Sequence, residues 1–167
     1  MEAYVWLFPL LFIFHDMEEI IGFKSWIDKN CETIISRYPR IEKMYAQYST
    51  EGMALAVFEE FILCIIICAI SVMTNWYGLW LGGFIAFVIH LVVHIGQAIV
   101  IKKYIPALIT SIICLPVSIY FIYRSISLLS YAVMSIVVFS FLGIIIIGIN
   151  LKFAHFIMKK FTIGQER

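Results

Sequence analysis

The sequence predicts an all-α fold: a polytopic membrane helix bundle with about five transmembrane helices and one amphipathic interfacial connector. Of the 167 residues, 63% are apolar and 14% charged, against roughly 45–50% and 25% in soluble domains. The mean hydropathy is +0.99. Apolar runs of the about 20 residues that cross a bilayer recur along almost the whole chain, which makes residues 1–167 a single transmembrane domain. A net charge of +1 leaves no basic field for nucleic acid, so nucleic-acid binding is excluded.

The spans follow in order. The first covers 3–22; its start, Met1-Glu2-Ala3-Tyr4, has neither a basic region nor a small-residue cleavage site, so it is read as a span and not as a removable signal peptide. The connector 23–51 is the longest polar stretch. Its Ile34, Ile35, Tyr38, Ile41, Met44, Tyr45 and Tyr48 recur at helical intervals around Pro39, which predicts two short helices lying on the inner surface. A lid or substrate-contacting element is the functional alternative for that segment. The second and third spans, 52–73 and 78–101, are separated by the uncharged Thr74-Asn75-Trp76-Tyr77 turn. In the fourth, 104–123, Pro106 fits a helix start and Pro116 a kink, and no ionisable residue follows before Arg124, which suits a wall of the bundle. The fifth runs over 128–156. Cys31, Cys64, Cys68 and Cys114 have no disulfide or zinc-finger spacing and read as packing residues.

Lysines and arginines collect in the 23–51 connector, at Lys102 and Lys103, and in the tail with Lys152, Lys159, Lys160 and Arg167. The positive-inside rule therefore predicts an outside amino terminus and an inside carboxyl terminus. Trp6, Trp76, Tyr77, Trp80 and Tyr123 fall near the outer boundary and Trp26, Tyr45, Tyr48 and Tyr104 near the inner one, as rings that favour headgroup depth should.

Ionisable residues within the spans are few: His15, Asp16, Glu18 and Glu19 in the first, Glu59 and Glu60 in the second, His90 and His94 in the third. Charged groups are costly in hydrocarbon and are functional candidates by default. His15, Glu18 and Glu19 stand at i, i+3 and i+4 and share a helix face, as do His90, His94 and Gln97, whereas Asp16 turns away from His15. Small residues, Gly83 on the His90 face and Gly52 and Ala56 on the Glu59 face, mark these stripes as interhelical. At about 1.5 Å rise per residue, His15, Glu59 and His94 each lie roughly 10 Å from the inner end of their span. Three helices thus predict one polar site in the cytoplasmic half of the membrane.

Four glutamates in such a pocket need protonation or cations. Histidines with carboxylates are a standard metal-ligand set, and His15, Glu18, Glu59, His90 and His94 are the expected ligands of one or two divalent ions, zinc or iron. Glu19 or Glu60 is then the general base or a group that orients a ligand. Gln97, Asn150 and His155 are further candidates. Asn150 and His155 are about 500° of rotation apart, some 140° on the helix, so at most one faces the site easily. Asn150 matches the common depth, and His155 lies by the inner interface beside Lys152 and Lys159. A hydrogen-bonded network of protonated glutamates is the structural alternative.

His15-Asp16-Met17-Glu18-Glu19 is an HxxEE string at the end of an apolar span and resembles the signature of the bacterial membrane family named for it, the HXXEE proteins. Glu59-Glu60, His90-xxx-His94 and Tyr104-x-Pro106 are similar to that family's further motifs, so the resemblance covers most of the chain. Members commonly carry Pro-Gly at the last element, where this chain has Pro106-Ala107. The resemblance implies a multi-pass protein of the bacterial cytoplasmic membrane and no particular reaction.

The leading functional expectation is a metal-dependent membrane enzyme acting on a lipid, isoprenoid or other amphiphilic substrate that enters laterally. Zinc implies hydrolysis and iron a di-iron-type oxidation. A metal-free glutamate-dependent intramembrane peptidase is an alternative on inventory, although Glu59-Glu60 lacks the Arg four residues later that CAAX-processing enzymes carry, and Phe84 and Phe87 fail the required interval to His90. A proton- or metal-coupled carrier would also need an intramembrane Glu/His relay, but five spans without a broken-helix repeat count against it. Adjacent glutamates disfavour a haem pocket between the histidines.

Overall fold

The computed structural model describes residues 1–37 and 48–165. All regular structure among them is helical: a single turn, Glu2–Val5, and five helices, α1 Leu7–Arg37, α2 Thr50–Thr74, α3 Gly78–Ile101, α4 Leu108–Leu129 and α5 Val133–Gln165. Four of these, α2, α3, α4 and the Val133–Gly164 part of α5, are long and apolar enough to cross a membrane. The chain is therefore built as a multi-pass bundle.

The first helix does not stop near Gly22. It runs 31 residues to Arg37, about 46 Å at 1.5 Å per residue against a hydrocarbon layer of about 30 Å. Its one proline, Pro9, sits in the first turn, where the missing N–H has no helical partner to lose; none follows before Pro39, and a single glycine is a weak breaker. The first part of the expected surface connector is thus the continuation of α1, while positions 38–47, with Pro39, lie outside the described residues. This continuation grips the link between α3 and α4. Trp26 Nε1 donates to the Tyr104 carbonyl at 2.6 Å, Lys103 Nζ donates to Asn30 Oδ1 at 3.1 Å, and Gly22 lies so close to Pro106 that a Cβ would stand 3.1 Å from its ring.

The central helix is α3, which packs on α2, α4 and α5; α2 also packs on α1 and α5, and α1 on α4. Contact between α3 and α5 is made at the backbone. A Cβ on Gly82 would lie 2.1 Å from the Phe139 carbonyl oxygen, and one on Gly143 would lie 2.2 Å from the Gly82 carbonyl carbon. Small residues permit this approach, which membrane helices need because lipid supplies little hydrophobic drive for association.

Aromatic side chains join α1 to α3. Phe8 stacks on Phe84 with ring centroids 5.3 Å apart, Phe12 meets Phe87 at 6.1 Å, and His15 meets His90 and His94 at 5.3 Å each. Residue numbers rise together on the two helices, so α1 and α3 run in the same direction, as an up-and-down order requires. The ladder is capped where the first turn breaks into α1: the Val5 carbonyl there accepts from Trp80 Nε1 at 3.0 Å and from Cys68 Sγ at 3.3 Å. All four cysteines are free, and Cys64, Cys68 and Cys114 are buried.

Candidate metal centre

At the end of this ladder away from Val5 the rings become imidazoles. His15 and Glu19 come from α1, one turn apart, and His90 and His94 from α3, also one turn apart, so each helix presents its pair on one face. One ligand atom from each of the four lies within 4.8 Å of every other. His94 Nε2 stands 2.9 Å from His90 Nε2 and 2.8 Å from Glu19 Oε1. Four donors at about 2.0–2.1 Å from one ion, in tetrahedral array, stand roughly 3.3 Å apart. The two separations from His94 Nε2 lie just under that figure, and no pair in the group exceeds 4.8 Å. His15 is fully buried, His94 and Glu19 nearly so, and His90 half-buried. Phe87 lies edge-on to His15 at 5.8 Å and roughly parallel to His90 at 6.5 Å, which closes the site on its apolar side.

Glu18 goes elsewhere. It stands 100° from Glu19 on the helix and faces the start of α4. There its Oε2 accepts from the Thr110 amide at 2.8 Å and the Thr110 hydroxyl at 2.6 Å, and its Oε1 accepts from the Tyr104 hydroxyl at 2.7 Å and the Ile109 amide at 3.4 Å. The α4 N-cap, Ala107, has no side-chain cap of its own, so a carboxylate from α1 satisfies amides that the helix cannot, and it favours the positive end of the helix dipole. Tyr104 lies in the link ahead of α4, and its hydroxyl is pushed up to about 12 by burial and by the bond to Glu18, so it remains a donor. Ala107 itself is held at φ 80°, ψ −11°, a left-handed conformation that suits glycine. The turn after Pro106 is thus made with alanine.

The grouping differs in part from the expected ligands. His15, His90 and His94 are brought together as anticipated, but the carboxylate that joins them is Glu19 and not Glu18. Glu59 is not in the four-atom group; its Oε2 accepts from Asn150 Nδ2 on α5 at 3.1 Å. Glu60 lines a cavity of about 40 Å³ together with His90 and Asn150, walled by Phe8, Phe12 and Phe87 among other apolar residues. Gln97 is exposed; His155 is exposed as well but lies close enough to interact electrostatically with Glu19, and Asn150 is half-buried and bonded to Glu59. Asp16, expected to turn away, is nonetheless 3% exposed, and its Oδ2 has no hydrogen-bond partner among the described residues.

Sequence reasoning missed Thr110. Its hydroxyl lies between Glu18 and His15, 3.0 Å from His15 Nδ1. A lone threonine in a span without ionisable residues carried too weak a signal, although its place three residues after the αL turn at Ala107 is where a helix exposes an unpaired amide.

The protein is thus a multi-pass helical bundle in which three histidines and a glutamate converge between two helices. The chain belongs to the HXXEE family, described as a protein of unknown function with HXXEE motif, which matches residues 6–121. The matched stretch contains every residue of the four-atom group together with Glu18, Tyr104 and Thr110, and ends before α5. No curated protein and no solved structure matches the chain.

Proposed function

We propose that this protein is a metal-dependent enzyme of the bacterial cytoplasmic membrane, with one divalent ion, zinc or iron, held by His15, Glu19, His90 and His94. The observation that carries the reading is the convergence of four ligand atoms within 4.8 Å of one another on two helices joined by an aromatic ladder. Three neutral imidazoles and one carboxylate would leave a bound divalent ion with a net charge of +1, and such an ion polarises water or a carbonyl strongly where bulk solvent is excluded. Glu60, on the wall of the cavity that His90 also lines, is the proton acceptor in this reading, and Asn150 fixes Glu59 beside it. The walls of that cavity are mainly phenylalanine and aliphatic side chains, which supports a lipid, isoprenoid or other amphiphile that enters from the bilayer. The one such group among the described residues favours hydrolysis over a two-iron oxidation, which needs a second set. The distribution of positive residues supports a site in the cytoplasmic half of the membrane, with the amino terminus outside.

Elemental analysis of protein purified without chelator tests the reading. About one ion per chain is expected in the wild type and in Glu59→Gln, and a loss of it in His94→Ala. Zinc would accord with hydrolysis, and iron with visible absorbance would move the reading to oxidation. No ion above background in the wild type sinks the metal reading and restores the metal-free glutamate peptidase.

A further inference from the structure

We propose that Glu18 is a positioning residue that acts through the Thr110 hydroxyl to fix His15 in the tautomer whose Nδ1 carries the hydrogen. The Thr110 hydroxyl has one proton and several neighbours. Its shortest contact is Glu18 Oε2 at 2.6 Å, whereas the carbonyls of His15 and Ala107 stand at 3.4 Å. Glu18 receives only donors, two amides and two hydroxyls, as an ionised carboxylate should. The Thr110 proton is therefore committed to Glu18. Toward His15 Nδ1, 3.0 Å away, the same oxygen can then only accept, so the hydrogen of that bond belongs to the imidazole. His15 Nε2 is left as a bare lone pair; it is buried and has no hydrogen-bond partner among the described residues.

That the lone pair serves an ion rests on the metal reading above, whereas the tautomer does not. Metal-bound histidines are oriented by the partner of their other nitrogen, and loss of that partner weakens binding about 10–100-fold. Here the partner is reached through a hydroxyl, and the carboxylate behind it also anchors α4. The first glutamate of the HxxEE string would thus orient the histidine of the string, while the second joins it at the ion.

Nitrogen-15 NMR of ring-labelled histidine in the metal-stripped protein tests this, because protonated and bare ring nitrogens resonate far apart; a His15→Gln variant identifies the signals. His15 with Nδ1 protonated is expected in the wild type and in Thr110→Ser, and its loss in Thr110→Val, which keeps the shape and removes the hydroxyl. Zinc affinity should fall about 10–100-fold in Thr110→Val and return in Thr110→Ser. A bare Nδ1 in the wild type, or wild-type ring signals in Thr110→Val, overturns the proposal. The expected ring signals in a protein that binds no zinc would overturn the metal reading and leave the tautomer assignment standing.

Discussion

Successive residues of an α-helix are turned about 100° from one another, so Glu18 and Glu19 leave α1 toward different neighbours, the one to α4 and the other to α3. Their replacement should have different consequences. Glu19→Gln removes a nearly buried carboxylate from the ligand group; metal content should fall at least tenfold while thermal stability in detergent holds or rises, since a buried charge costs solvation. Glu18→Ala leaves amides and hydroxyls of α4 and Tyr104 without their acceptor. A loss of about 1–3 kcal/mol in unfolding measurements is expected, whether or not metal is present. Ala107 supplies a second check. A left-handed residue other than glycine carries about 1–2 kcal/mol of strain, and a β-branched side chain carries more. Ala107→Gly should therefore stay within about 1 kcal/mol of the wild type and Ala107→Val fall well below it, with the α4 anchor and His15 signals disturbed together. Histidine and glutamate positions were readable from spacing, because i, i+3 and i+4 place them on one face. Which glutamate faces the histidines was not, since Glu18 and Glu19 flank His15 by about 60° and 40° on opposite sides, and the azimuth of α1 relative to α3 is a property of the packed pair.

Elements are held by two devices, glycine contact and ring stacking. Gly82 and Gly143 bring α3 and α5 into backbone contact, where an added methyl meets main-chain atoms that have no rotamer to yield. Gly82→Ala and Gly143→Ala should each cost at least the about 1–3 kcal/mol typical of overpacking, and should displace Asn150 from Glu59, while Gly148→Ala, with open space around it, should be neutral. Unfolding in mixed detergent micelles reads the difference; equal behaviour of the three variants would contradict the packing. The long apolar elements were legible because 18 or more apolar residues without charge have few alternatives. The third span, 78–101, coincides with the helix Gly78–Ile101. The second, 52–73, lies inside Thr50–Thr74, whose N-cap is Ser49. The end of α1 was misjudged for a physical reason: hydropathy marks where apolar chain stops, while the helix persists as long as backbone hydrogen bonds and a packed face continue. Beyond Gly22 that face meets Tyr104 and Pro106 instead of lipid.

Across the whole molecule, the proposed orientation makes a prediction that needs no variant. Cys31 is the one cysteine among the four that is not buried, and it lies on the continuation of α1 beyond the apolar run, on the side assigned to the cytoplasm. A membrane-impermeant thiol reagent should label it in inverted vesicles and leave it unlabelled in intact cells; labelling from outside would reverse the topology. Composition and periodicity were enough for the fold class, for the four apolar helices long enough to cross a membrane and for the short roster of polar residues, because cost in hydrocarbon and helical period are properties of one chain segment at a time; the first expected span, 3–22, is not among those four. Tertiary structure alone decided that Glu19 joins the histidines, that Glu18 reaches His15 through Thr110, and that Glu59 pairs with Asn150. Those are relations between helices, fixed by how backbones approach and by which side chains fill the space between them. No periodicity within a single helix contains that information.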